Sequence, residues 1–176
     1  CTINDNINVI EPIAPLSLTS VVTDVDCHGN NSGSVDVTIN GGTAPYNHYW
    51  SNSGTIVMID TTEDITNQYA DTYTLLVTDS KGCQETIIST IDEPIAPLAI
   101  TGIIDDANCF GLNDGKVCVS VVDIFPPYNY NYGTVFVNDS CDTIQSSGVN
   151  KNVIVRNALG CLVTWQYNID TPDVIS

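Results

Sequence analysis

Thr72-Tyr73-Thr74-Leu75-Leu76-Val77-Thr78-Asp79-Ser80-Lys81-Gly82-Cys83 reads as a strand running into a tight turn. Tyr73, Leu75 and Val77 alternate with Thr72, Thr74 and Thr78, the period of two that buries one face of a strand and leaves the other wet. Asp79-Ser80-Lys81-Gly82 suits a hairpin whose glycine takes the left-handed conformation, and Asn157-Ala158-Leu159-Gly160 repeats that chemistry. Upstream, Val35, Val37 and Ile39 alternate in the same way with Asp36, Thr38 and Asn40. Helical periodicity is absent. Seven short strands are predicted in this part of the chain, over about 15–23, 33–40, 45–51, 55–60, 63–68, 72–79 and 83–91. Seven such strands joined by closely spaced turns give an all-β fold of the immunoglobulin-like sandwich class.

The chain also nearly repeats itself. Glu11-Pro12-Ile13-Ala14-Pro15-Leu16 returns intact from Glu93 to Leu98, an offset of 93 − 11 = 82 residues. Cys27 recurs as Cys109, and Pro45-Tyr46 as Pro127-Tyr128, at that same offset. A cysteine followed eleven positions later by proline occurs at Cys1 with Pro12, Cys83 with Pro94 and Cys161 with Pro172, marking the closing strand of each unit. The expected organisation is therefore tandem, as a segment of a longer protein. Residues 1–12 close a preceding repeat, 13–94 form a first sandwich, 95–172 a second and divergent one, and 173–176 begin another. Near-copies of one module hold no unique cluster of reactive side chains, which favours a spacer or adhesive array over an enzyme.

Composition fits a secreted surface molecule. A unit of about 80 residues has a marginal core that cross-links help, and seven cysteines without CxxC metal spacing read as disulfides of an oxidising compartment. No stretch is long and apolar enough to span a membrane. The 21 Asp and Glu face only Lys81, Lys116, Lys151 and Arg156, for a net charge of −17. That surface repels phosphate backbones and anionic lipid, so neither nucleic acid nor direct membrane insertion is expected.

Cys27-His28-Gly29, Gly33-Ser34-Val35, Gly41-Gly42-Thr43-Ala44-Pro45-Tyr46, Tyr49-Trp50-Ser51, Ala70-Asp71-Thr72-Tyr73, Val77-Thr78-Asp79 and Gly82-Cys83 together resemble the repeat of SprB-type gliding-motility adhesins. The resemblance spans essentially all of the first repeat. It implies a long filament on the bacterial cell surface, exported by type IX secretion, that grips a substratum. Asp60-Thr61-Thr62 and Asp142-Thr143-Ile144, again 82 apart, look like the O-glycosylation signal of bacteria carrying such adhesins, which makes Thr61 and Thr143 candidate glycan acceptors.

The second repeat departs from the pattern. Gly41-Gly42-Thr43 becomes Asp123-Ile124-Phe125, Trp50 becomes Tyr132, Asp79 becomes Asn157, and Lys151 stands where Tyr73 would tie down a corner. An extra pair, Cys118 and Cys141, is the expected substitute. In Lys116-Val117-Cys118-Val119-Ser120-Val121 the valines face the core, which turns Cys118 outward toward Cys141 on a neighbouring strand. Closing a loop of about 22 residues contributes roughly 3 kcal/mol in the chain-entropy model.

Three pairings are open for the repeat cysteines. Within repeats, Cys27 joins Cys83 and Cys109 joins Cys161; across adjacent loops, Cys1 joins Cys27 and Cys83 joins Cys109; a third scheme joins Cys27 to Cys161. Pairing within repeats is favoured because each unit carries the same two cysteines, although in a seven-strand sandwich the first and last hairpin loops lie at opposite ends.

Other residues divide between plain and sharper readings. Trp50 is expected in the core; His28 and His48 have no partner at ligand spacing; Trp165 has no counterpart in the first repeat. Asp24, Asp26, Asp105 and Asp106 fall where a strand meets a loop, as candidate calcium ligands against the plainer expectation of solvated turn aspartates. No other cofactor is implied. The first functional expectation is a stalk or filament segment of an extracellular adhesin, whose partners are neighbouring repeats and a surface polysaccharide or substratum. Alternatives are a glycan- or protein-binding module using Tyr128, Tyr130 and Tyr132, and a subunit of an extracellular polymeric fibre. No nucleophile with base and orienting residue, paired catalytic carboxylates or phosphate loop points to an enzyme.

Overall fold

A computed structural model describes residues 14–53, 55–109, 112–122, 124–133, 135–145, 148–170 and 172, with side chains left out at 55–57, 144, 145 and 149. The expected flanking pieces 1–12 and 173–176 lie outside the described residues. Every regular element among the described residues is a β-strand, and all pairings are antiparallel. Two compact units are distinguished. One comprises the described residues up to Val25 together with Asn31–Glu93; the other comprises Asp26–Asn30 together with the described residues from Pro94.

The first unit contains β1 (Ser17–Thr23), β2 (Gly33–Asn40), β3 (Asn47–Asn52), β4 (Thr55–Asp60), β5 (Ile65–Gln68), β6 (Asp71–Thr78) and β7 (Gln84–Ile91). They form sheets ordered β1-β2-β5 and β4-β3-β6-β7. The period of two is obeyed: Val35 and Val37 on one sheet bury against Trp50, Tyr73, Leu75 and Val77 on the other, with Ile65 and Ile91 completing the core. This is a two-sheet sandwich of the immunoglobulin type in which the fourth strand pairs with the third. The strand expected from residue 45 starts at Asn47, because Pro45 has no N–H to give to a ladder.

Two polar side-chain groups secure this core. Trp50 is fully buried and its Nε1–H donates to the Thr62 carbonyl at 3.0 Å. The Tyr73 hydroxyl donates to the Tyr69 carbonyl at 3.0 Å, so Tyr73 is a corner tyrosine; burial first, and Asp71 second, push its pKa up. The loop after β2 is pinned by glycine. Gly41 has φ +69°, its Cβ would stand 2.1 Å from the Pro15 carbonyl oxygen, and the neighbouring Gly42 N–H donates to the Ala14 carbonyl at 3.0 Å. Ala14 and Pro15 thus meet Gly41 and Gly42 backbone to backbone.

The second unit contains β8 (Ala99–Asp105), β9 (Gly115–Val122), β10 (Asn129–Asn131), β11 (Phe136–Val137), β12 (Cys141–Gln145), β13 (Gly148–Arg156) and β14 (Leu162–Ile169). Its sheets run β12-β9-β8 and β11-β10-β13-β14, the same order as before. Val117, Val119, Tyr130, Val153, Val155, Tyr167 and Ile169 form the core. Trp165 is a packing choice of this unit: it lies on Gly102 and stacks on Tyr167 with ring centroids 5.5 Å apart. The short β10 and β11 reflect the missing residues of this repeat, where the Arg156 guanidinium sits 4.6 Å over the Phe136 ring.

Candidate functional site: the cysteine hairpin and the cysteine loop

Each unit builds a hairpin that carries a cysteine at its end. In the first, Asp79 is buried at the top of β6. Its Oδ1 accepts the N–H groups of Lys81 and Cys83, both at 2.8 Å, and its Oδ2 accepts the Thr43 N–H at 2.9 Å. The backbone closes around it, Asp79 N–H to Cys83 carbonyl at 2.9 Å and Gly82 N–H to Asp79 carbonyl at 3.0 Å, with Gly82 at φ +86°. Burial pushes the Asp79 carboxyl up, but the N–H groups of Cys83, Lys81 and Thr43 together outweigh it and hold the pKa below the usual carboxylate value. In the second unit Asn157 Oδ1 accepts from Leu159 N–H at 3.1 Å and Cys161 N–H at 3.0 Å, and Gly160 has φ +90°. The stretches Asp79–Gly82 and Asn157–Gly160 foretold the turn; that the first residue of each would be buried and organise it was not read from them.

The partner element is the loop after the first strand of each repeat. Asn30 N–H donates to the Cys27 carbonyl at 2.9 Å, and Leu112 N–H to the Cys109 carbonyl at 3.2 Å, so both cysteines head the same turn. Cys27, in the Asp26–Asn30 segment of the second unit, is bonded to Cys161 with Cα atoms 5.6 Å apart. Beside the bond lies a cavity of about 360 Å³ lined by His28, Asn30, Pro97, Leu98, Gly160 and Leu162. Pairing within repeats is thereby corrected. The loop after the first strand and the last hairpin stand at opposite ends of one sandwich, out of reach of a disulfide. Pairing across adjacent loops is overturned with it, since Cys83 and Cys109 are both exposed free thiols. Cys1 lies outside the described residues.

Cys118 and Cys141 are bonded directly across β9 and β12, with Cα atoms 4.1 Å apart. Val117 and Val119 are buried on either side of Cys118, so the sulfur faces away from the core.

The calcium candidates do not gather. Among the described residues no group of three or more His, Cys, Asp or Glu side chains is placed to share a metal ion, those of Asp24, Asp26, Asp105 and Asp106 included. Asp24 Oδ1 instead accepts the Asp92 N–H at 2.9 Å, and Asp106 Oδ1 accepts the Asp170 N–H at 2.9 Å. Each aspartate ties the end of its first strand to the end of its last. Thr61 and Thr143 are both exposed, yet they are not equivalent as the constant offset implied: Thr61 follows β4 in a turn, whereas Thr143 lies inside β12. The residues missing from the second repeat fall before β12 and break the offset there. Asp60 Oδ1 accepts the Thr62 N–H at 2.9 Å and its hydroxyl at 2.8 Å; these, the N–H first, hold the Asp60 pKa down. Tyr130 is buried and Tyr128 and Tyr132 pack on the core, so the three do not form an open stacking platform. Burial pushes the Tyr132 pKa well up, and its hydroxyl is without a hydrogen-bond partner among the described residues.

Residues 19–55 match the model of the SprB repeat, a span running from β1 to the start of β4 that includes Cys27, the Gly41-Gly42 turn and Trp50. The match is consistent with a SprB-type repeat, a family of cell-surface proteins. Among curated proteins, none matches this chain.

Proposed function

We propose that this chain is a stalk segment of an extracellular cell-surface adhesin or filament, serving adhesion and force transmission in gliding, and not an enzyme. The observation that carries the reading is the SprB-repeat match over residues 19–55. Two disulfides support it, since such bonds persist in oxidising compartments outside the cytoplasm. The net charge of −17 supports it further by keeping a densely displayed surface protein from self-association. In this role its partners are neighbouring repeats and a surface polysaccharide or substratum, and the exposed Thr61 and Thr143 are glycan acceptors. Antibodies against the chain should label intact cells of the source organism, and cells lacking the segment should lose attachment to glass under flow. Labelling that appears only after permeabilisation would refute the surface reading; intact attachment without the segment would refute the adhesive one.

A further inference from the structure

Cys27 and Cys161 are bonded, whereas Cys83 and Cys109 are exposed and free. The two pairs are the same two kinds of cysteine. Cys83 and Cys161 end the same hairpin: each N–H donates to the side chain of the residue four before it, Asp79 Oδ1 at 2.8 Å and Asn157 Oδ1 at 3.0 Å, and each carbonyl accepts that residue's N–H. Cys27 and Cys109 head the same loop, each carbonyl accepting the N–H three residues on. The bond that exists joins a loop cysteine of one sequence repeat to a hairpin cysteine of the next. Cys83 and Cys109 repeat both halves of that pairing, and each presents its sulfur in a backbone setting that, in the other repeat, holds a disulfide.

We propose that Cys83 and Cys109 are attachment points for further repeats, in a ladder where the hairpin cysteine of each repeat is bonded to the loop cysteine of the repeat before it. The partner of Cys109 is a hairpin cysteine of a following repeat, and that of Cys83 a loop cysteine of a preceding one, both in the same chain. This rests on the tandem-array part of the proposed function, not on adhesion. Each rung forms from two thiols, which lose two protons and two electrons to a disulfide oxidant of the extracytoplasmic compartment; that oxidant is reduced to two thiols. The Cys27–Cys161 loop has a sequence separation of 134, and the next begins 109 − 27 = 82 residues later. Successive loops therefore overlap by 134 − 82 = 52 residues, and the array is enclosed by bonds without a gap.

The test is peptide mapping of the protein from its native source, alkylated with N-ethylmaleimide and digested without reductant, beside gels run with and without dithiothreitol. The expected map links Cys109 to a cysteine that follows a glycine and stands eleven residues before a proline, links Cys83 to a loop cysteine, and shows no reducible oligomer. Recovery of either residue as its maleimide adduct overturns the ladder, as does a Cys83–Cys109 peptide. Oligomers that dithiothreitol dissolves place the partner on a second chain and overturn it too. A correct map from cells that fail surface labelling would leave the ladder standing and remove only the adhesin reading.

Discussion

Asp79 and Asn157 close the same hairpin with different charge. Both hold two backbone N–H groups with one side-chain oxygen, and Asp79 accepts a third, from Thr43, with its second oxygen. A backbone bond also joins hairpin and neighbouring loop in each unit, Ala158 N–H to the Phe125 carbonyl at 3.1 Å in the second and Ser80 N–H to the Thr43 carbonyl at 2.9 Å in the first. Since the Asp79 pKa is depressed in the fold, its stabilisation is present above the unfolded value of about 3.9 and is lost as pH falls through the folded value. Asp79→Asn keeps the two turn bonds and loses the Thr43 one. It is expected to lower the melting temperature at neutral pH, with the gap to wild type narrowing below about pH 4. Calorimetry across pH checks this; a gap that is constant or widens on acidification would contradict the assignment.

Trp165 occupies the space that a side chain at residue 102 would need. A Cβ on Gly102 would stand 2.1 Å from Trp165 Cζ3, closer than any relaxed contact. Gly102→Ala must therefore displace the indole and its stack on Tyr167, at about 1–3 kcal/mol for overpacking. In a Trp50→Phe background the emission of Trp165 reports the displacement directly, and an unshifted spectrum with unchanged stability would show that the ring does not rest on Gly102.

The two units are braced by different devices, the Tyr73 corner in the first and the Cys118–Cys141 bond across β9 and β12 in the second. Tyr73→Phe removes one hydrogen bond to Tyr69 and is expected to cost about 1 kcal/mol. Replacing both Cys118 and Cys141 by Ser opens a sequence separation of 23 and is expected to cost about 3 kcal/mol in the second unit. Urea unfolding of the two variants separates the units, because each should shift one transition and leave the other; a shift of both by either variant would show that the devices are not local.

Strands and core were legible because β2, β6 and β9 alternate cleanly, and Val35, Trp50, Tyr73 and Leu75 are buried as their period requires. The Cys118–Cys141 bond follows from the same alternation, since parity alone turns Cys118 away from Val117 and Val119. The Cys27–Cys161 bond is the third of the schemes the sequence left open: equal counts per repeat favoured pairing within repeats, whereas the opposite ends of a sandwich at which the first and last hairpin loops stand argued against it. The structural role of two of the acidic residues was also hidden: Asp24 and Asp106 are acceptors for backbone N–H groups 68 and 64 residues away, a pairing no local motif announces. The equivalence of Thr61 and Thr143 failed because the offset of 82 holds only as far as the shortened stretch ahead of β12.

The Cys27–Cys161 bond fixes what tension on the two ends can reach. Force entering before Cys27 crosses the sulfurs to Cys161, so the chain between them carries no load while the bond is intact. Among the described residues, β1 and β14 are the strands that lie outside that loop. Reduction of both disulfides returns the enclosed chain, a sequence separation of 134, to the load path, which adds roughly 450 Å of contour length at about 3.4 Å per residue. Single-molecule pulling from the termini should show short extensions in oxidising buffer, and extensions longer by that amount after dithiothreitol. Cys27→Ser should give the long pattern without reductant, shortened by the 23-residue separation that Cys118–Cys141 still holds closed. Equal extensions with and without reductant would mean that the load does not pass through the bond, and a role in bearing tension would have to rest on the sandwiches themselves.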